Sequence, residues 1–130
     1  MTTYISDTHA LVWLLEGDPQ LSPSALQAFS DASAQVVVPT IVLAEIQFLY
    51  TRQRIATDLQ QVMNHIRRTQ NVRVYPLDEL VVERMPSTLR IHDAIIVATG
   101  IVFRDVFHFP TSLITRDAQI RGCGLLNTIW

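Results

Sequence analysis

Apolar residues fall into two rhythms along the chain, and the rhythms alternate. Residues 3–6 read as a short strand, and residues 8–16 follow with Leu11, Leu14 and Leu15 on one face of a helix. Ser22-Pro23 pairs a capping side chain with proline at the first helical position, which predicts a helix to about residue 33. Val36-Val37-Val38 is a continuous β-branched run of the kind that fills a strand buried on both sides. Thr40 is then the expected cap of a helix to about residue 52. Thr57 is the expected cap of the next, in which Leu59, Val62, Met63 and Ile66 recur at i, i+3, i+4 and i+7. Arg67 and Arg68 suit the negative end of that helix. A strand at 72–75, a short helix opened by Asp78 and stopped before Pro86, a helix over about 91–103, and strands at 112–115 and near 125–129 complete the pattern.

Strands separated by helices imply parallel pairing with right-handed crossovers. The expected fold is a three-layer α/β/α domain around a central, mostly parallel sheet of four or five strands. No repeat, low-complexity tract or Gly/Ser linker divides the chain, so one domain is expected over 1–130.

Composition narrows the chemistry. The 130 residues are 48% apolar and 17% charged, with a formal net charge of −2. All 10 basic residues are arginine, and the absence of lysine removes P-loop phosphate binding, Schiff-base catalysis and phospho-acceptor receiver chemistry. A net negative charge gives no global field for nucleic acid, so local arginines would have to hold any RNA or DNA. The N-terminal stretch carries Asp7 and has no arginine before Arg52, unlike a signal peptide, and the apolar tracts are too short or too interrupted to span a bilayer. One cysteine, Cys123, cannot form an internal disulfide and reads as a small buried hydrophobe. A soluble, cytoplasmic protein is expected.

Three carboxylates stand as lone charges in apolar surroundings. Asp7 is the only charge in residues 1–15, Glu45 the only one between Asp31 and Arg52, and Asp93 the only one between Arg90 and Arg104. A buried, ionised carboxylate without a partner is too unfavourable to persist, so these acids need a cap to serve or a cation to hold. Asp7 and Asp117 have a structural alternative as helix caps, and Asp93 has one in the first turn of its helix. Glu45 lies beyond the first turn of its helix and has no such alternative.

Ligand sites of doubly wound sheets lie beyond the carboxyl ends of the strands. Asp7 and Asp117 each directly follow a predicted strand, and Asp93 and Glu45 lie near the starts of helices. With those helices starting at the same edge, four oxygen ligands converge. Their repulsion raises their pKa values and is relieved by a divalent cation, with Mg²⁺ or Mn²⁺ favoured by an all-oxygen set. His9, His65, His92 and His108 are scattered and offer no zinc spacing.

The segments YISDTHALVWLL, PTIVLAEI, IHDAIIVAT and LITRDAQI, in this order, resemble the four acidic motifs of PIN-domain ribonucleases, and most of all those of VapC-type toxins of bacterial toxin–antitoxin pairs. The resemblance spans essentially the whole chain. It implies an acidic site of Asp7, Glu45, Asp93 and Asp117 that is both metal-binding and catalytic, with Thr115 as a nearby hydroxyl that orients ligands or water. It also implies a Mg²⁺- or Mn²⁺-dependent endonuclease acting on RNA, a small antitoxin partner, and a homodimer. The stretch FRDVFHFPTS between the third and fourth motifs is longer and more aromatic than usual, and the acidic balance departs from the many more basic relatives.

Other residues have plainer readings. Arg116, beside Asp117, is a candidate phosphate contact or a surface charge. Arg52, Arg54, Arg67 and Arg68 form either a basic rim or ordinary helix-end charges. His9 and His92 adjoin two of the acids and read as substrate contacts or, the commoner case, as hydrogen-bonded structural histidines. Trp13, Phe48, Tyr50, Phe103, Phe107 and Phe109 read as core or interface rather than base-stacking platforms. The helix from Thr40 is apolar on nearly every side, which calls for a second cover beyond the sheet. Phe48 or Tyr50 is therefore expected at a protein contact, and a partner is expected to insert a basic side chain among the carboxylates. A PIN nuclease of RNA maturation or DNA processing without an antitoxin, and a silent binding module, are the alternative functions. The four acids count against the silent module. A haloacid-dehalogenase phosphatase would need an aspartate where His9 stands, and a lysine.

Overall fold

In the computed structural model, which describes all 130 residues, the alternating pattern becomes a five-stranded sheet with helices on both faces. The elements are β1 (Thr3–Ser6), α1 (Thr8–Glu16), α2 (Pro23–Phe29), β2 (Gln35–Pro39), α3 (Thr40–Thr51), α4 (Leu59–Arg68) and β3 (Val72–Tyr75). They continue with α5 (Glu79–Glu83), α6 (Ile91–Ile101), a π-helical turn (Val102–Val106), β4 (Thr111–Ile114), α7 (Ala118–Gly122) and β5 (Asn127–Ile129). The strand order is β3-β2-β1-β4-β5, and every pair is parallel rather than most of them. The order reverses between β1 and β4, so a crevice opens beyond their carboxyl ends.

Alternation along the strands divides the core. Ile5 and Leu113 pack with Ile46, Ile95, Ile96 and Phe103 on one face, while Tyr4 and Ile114 pack with Ala10, Ala25 and Ala28 on the other. All five residues of β2 are buried, as its β-branched run requires. Gly100 in α6 leaves room for the Leu126 side chain, whose methyl a Cβ at that position would overlap, while Ile5 of β1 would be in near-ordinary contact at 3.4 Å.

Local caps differ from expectation at two places. Asp58, not Thr57, caps α4, in a reciprocal box with Gln61. Thr57 is buried instead, and its amide and hydroxyl both donate to the Glu16 carboxylate. Thr40 does not cap α3; its hydroxyl donates to the Tyr75 carbonyl at 2.9 Å, tying the start of α3 to the end of β3. The second helix stops at Phe29 rather than about residue 33, although Ser22 caps it as expected. Cys123 is half-buried, not buried.

The long aromatic connection is absorbed without disorder. After Ile101 the backbone widens into a π-helical turn, Phe107 N–H bonding the Val102 carbonyl and Phe109 N–H the Phe103 carbonyl. His108 adopts a left-handed φ of 61° and turns the chain into β4. Phe103, fully buried, packs edge-on against Tyr75 (5.2 Å) and Phe107 (5.1 Å) and stacks on Phe109 (6.3 Å). Phe103→Ala should therefore cost about 3–5 kcal/mol, and Phe107→Ala, at a partly exposed ring, about 1 kcal/mol. Urea denaturation followed by circular dichroism checks both values, and equal losses would show that the cluster does not hang on Phe103.

Candidate active site

Asp7 leaves β1 as its chain turns into α1, where its Oδ1 accepts from Ala10 N–H at 2.8 Å and caps the helix. Asp117 follows β4 and does the same for α7, accepting from the amides of Gln119 (2.9 Å) and Ile120 (3.0 Å). Asp93 stands in the first turn of α6. Glu45, six residues into α3, takes a 2.9 Å hydrogen bond from the Thr8 hydroxyl, and His92 Nδ1 lies 3.6 Å from its other oxygen. All four acids line one cleft of about 570 Å³ at the carboxyl edge of the sheet, together with Thr8, His9, Trp13, Arg90, His92 and Arg116.

The capping and the clustering of Asp7 and Asp117 are thus compatible: in each, one carboxylate oxygen, Oδ1, accepts from the helix amides, and both residues line the cleft. Thr115 is fully buried beside them, its hydroxyl accepting from Asp117 N–H at 3.0 Å and acting on the Asp7 carboxylate. No arginine is ion-paired with any of the four acids; the arginine pairs of the chain are Arg84–Glu83 and Arg104–Asp105. In this conformation no three Asp, Glu, His or Cys side chains close around a single point.

Burial dominates the electrostatics, and like charge adds to it. Asp7 is raised to about 6, first by desolvation and then by Asp117, against the lowering effects of Thr115, the Ala10 amide and His9. Asp93 is raised by desolvation, then by Asp117 and Glu45, with Arg90 and His92 opposing. Repulsion therefore runs across the four acids in a chain: Asp7 to Asp117, Asp117 to Asp93, Asp93 to Glu45. Two of the four carboxylates are thus held above their usual range and none is ion-paired with arginine; the donors are oxygen only, the kind a hard divalent cation takes, but they are not gathered into one coordination sphere here.

The neighbours divide between the alternatives the sequence offers. His9 and His92 are exposed and line the cleft. Trp13 is half-buried and lines the cleft, whereas Phe103 is core and Phe48 and Tyr50 are exposed on α3. Arg52, Arg54, Arg67 and Arg68 are exposed and do not line the cleft; Arg52 lies over the Phe48 ring at 3.7 Å. Thr8 and Arg90 were missed. Thr8 left a signal, since it directly follows Asp7 in a first helical turn; Arg90 is marked only by preceding the third acidic segment.

The PIN domain family model matches residues 4–122, and the chain belongs to that family. Its fold is similar to that of three solved complexes. A VapBC2 complex of Rickettsia felis bound to a fragment of promoter DNA aligns with a TM-score of 0.66 and 14% identity over 97% of this chain and 96% of that one. A toxin–antitoxin complex from Klebsiella pneumoniae gives 0.64 and 21% over 95% and 94%, and a DNA-bound VapBC from Salmonella typhimurium gives 0.65 and 11% over 98% and 97%. A search of curated proteins finds no match.

The raised Asp7 pKa fixes the sign of a pH dependence. Between the unfolded value of 3.8 and about 6 the folded chain holds a proton that the unfolded chain has lost. The contribution of Asp7 to stability is thus full below about pH 4 and falls as pH rises through 6, by about 3 kcal/mol at most. Asp7→Asn keeps an amide oxygen to cap α1 and removes that fall. In EDTA the variant should melt several degrees above the parent at pH 7, with the gap closing towards pH 4. A lower melting temperature at pH 7 would assign Asp7 to capping alone.

Proposed function

We propose that the protein is a metal-dependent endoribonuclease, the toxin of a toxin–antitoxin pair, working in the cytoplasm with Mg²⁺ or Mn²⁺. The observation that carries this reading is the meeting of Asp7, Glu45, Asp93 and Asp117, from four separate segments, in one cleft with no arginine ion-paired to any of them, although Arg90 and Arg116 also line it. Membership of the PIN family and the fold shared with three toxin–antitoxin complexes support it.

The four carboxylates would hold the metal, which when bound supplies an activated water for in-line attack on a phosphodiester and a charge to steady the leaving oxygen. The remaining work belongs to the chain. Thr8 fixes the rotamer of Glu45 through its 2.9 Å bond, and Thr115 holds the Asp117 backbone and the Asp7 carboxylate in register. Caps on α1 and α7 keep one oxygen of Asp7 and of Asp117 fixed, which limits the reorganisation needed to take up a cation. Arg116, exposed at the rim, supplies a donor for a substrate phosphate.

Saturable Mn²⁺ binding by calorimetry, together with Mn²⁺-dependent cleavage of unpaired RNA, tests the assignment. Asp93→Asn should weaken metal binding at least tenfold and reduce cleavage by about two orders of magnitude or more. Equal metal binding by parent and variant would sink it, and expression-linked growth arrest relieved by a short neighbouring gene separates a toxin from a nuclease without an antitoxin.

Association belongs to the same reading. Phe48 is 51% and Tyr50 41% exposed on α3, and Ile41, Ala44, Phe48 and Leu49 line a small apolar recess that Glu45 and His92 border. A homodimer and an antitoxin segment are the proposed covers, the antitoxin reaching a basic side chain into the adjoining carboxylates. Light scattering should report a dimer at micromolar concentration, and Tyr50→Glu should weaken it; a monodisperse monomer, with Tyr50→Glu unchanged in solubility, would overturn the association and leave the nuclease assignment standing.

A further inference from the structure

Trp13 is the only aromatic ring other than His9 and His92 to line the acidic cleft. It does not float there. Trp130 meets it edge-on at 5.7 Å and 63°, and Trp130 is itself held in the smaller apolar cluster with Tyr4, Leu21 and Ile129. His9 tilts against the ring at 5.6 Å, and the Arg116 guanidinium lies over it at 4.5 Å from the centroid. A large π-surface braced from behind, at the mouth of a carboxylate cleft and covered by an exposed, planar cation, is built to accept a flat group. Nucleobases are such groups, and they stack on aromatic side chains when unpaired.

Resting on the nuclease reading, we infer that Trp13 is a stacking platform for an unpaired base of the RNA beside the acidic site, and that Arg116 covers this platform until substrate arrives. The base takes the ring face that Arg116 occupies, and the displaced guanidinium, next in sequence to Asp117, turns to the neighbouring phosphate. Trp13 thus selects unpaired RNA and positions it; it has no part in the bond-breaking step.

Binding is measured in EDTA, where nothing is cleaved, with a fluorescent single-stranded RNA 12-mer and an abasic oligomer of the same charge. The full chain should bind the base-bearing strand about tenfold more tightly than the abasic one, with quenching of tryptophan fluorescence. Trp13→Ala should abolish that preference while leaving abasic binding in place. Trp13→Phe should keep most of the preference and lose most of the quenching, since Trp130 alone remains. Arg116→Ala should weaken both strands alike and leave their ratio unchanged or larger. Equal affinity of the parent for the two strands, or a Trp13→Ala variant that weakens both equally, would overturn the platform. Cleavage in Mn²⁺ is scored separately: a preference for bases without cleavage defeats the nuclease reading alone, and cleavage without the preference defeats the platform alone.

Discussion

Four carboxylates share a cleft at the end of a hydrophobic sheet, one of them, Asp7, buried and two half-buried, and this gathering of like charge is the constraint around which the rest of the structure is arranged. Desolvation and mutual repulsion both push Asp7 and Asp93 towards the neutral form. A fold under selection for stability alone would replace such groups or pair them with arginine. This chain has 10 arginines, yet its arginine ion pairs lie elsewhere, on Glu83 and Asp105. The unfavourable electrostatics are concentrated at one site, as expected where function sets the charge.

The surrounding fold offsets that burden with fixed dipoles. Asp7 and Asp117 cap α1 and α7 through backbone amides, so part of each charge faces donors held by the helices themselves. Glu45 has no cap to serve and takes its support from the Thr8 hydroxyl, while His92 lies near its second oxygen. Thr115, fully buried, links the two strand-end acids. The caps and the Thr115 bond to Asp117 are local, whereas the Thr8 and His92 contacts to Glu45 join segments far apart in sequence and tie α3 to the switch point between β1 and β4.

Aromatic residues complete the frame in two different ways. Phe103 and its neighbours fill the space under the widened end of α6, and the π-helical turn lets a long connection re-enter the sheet as β4 without leaving the core open. Trp13 is braced by Trp130 and faces the cleft instead. One aromatic ring is enclosed in the core and the other lines a cleft, and the difference lies in which neighbours cover the ring.

Periodicity by itself determined the order of strands and helices, because burial on one or both faces imposes a rhythm that any folded state must respect. The lone charges of Asp7, Glu45 and Asp93 were equally legible, since an isolated carboxylate in an apolar segment demands an explanation wherever the segment goes. Asp117 was marked by its place after a strand and by the resemblance of LITRDAQI to the fourth acidic motif. Tertiary structure decided the rest. Whether Thr40 and Thr57 cap or reach across depends on the Tyr75 carbonyl and the Glu16 carboxylate, which lie far from them in sequence. Thr8 meets Glu45 across 37 residues, and Arg116 lies over Trp13, only because α1, α3 and the end of β4 gather at one sheet edge. Such contacts have no local signature: a hydroxyl or an indole carries the same sequence pattern whether it ends in the core, in solvent or in a site, and only packing selects among them.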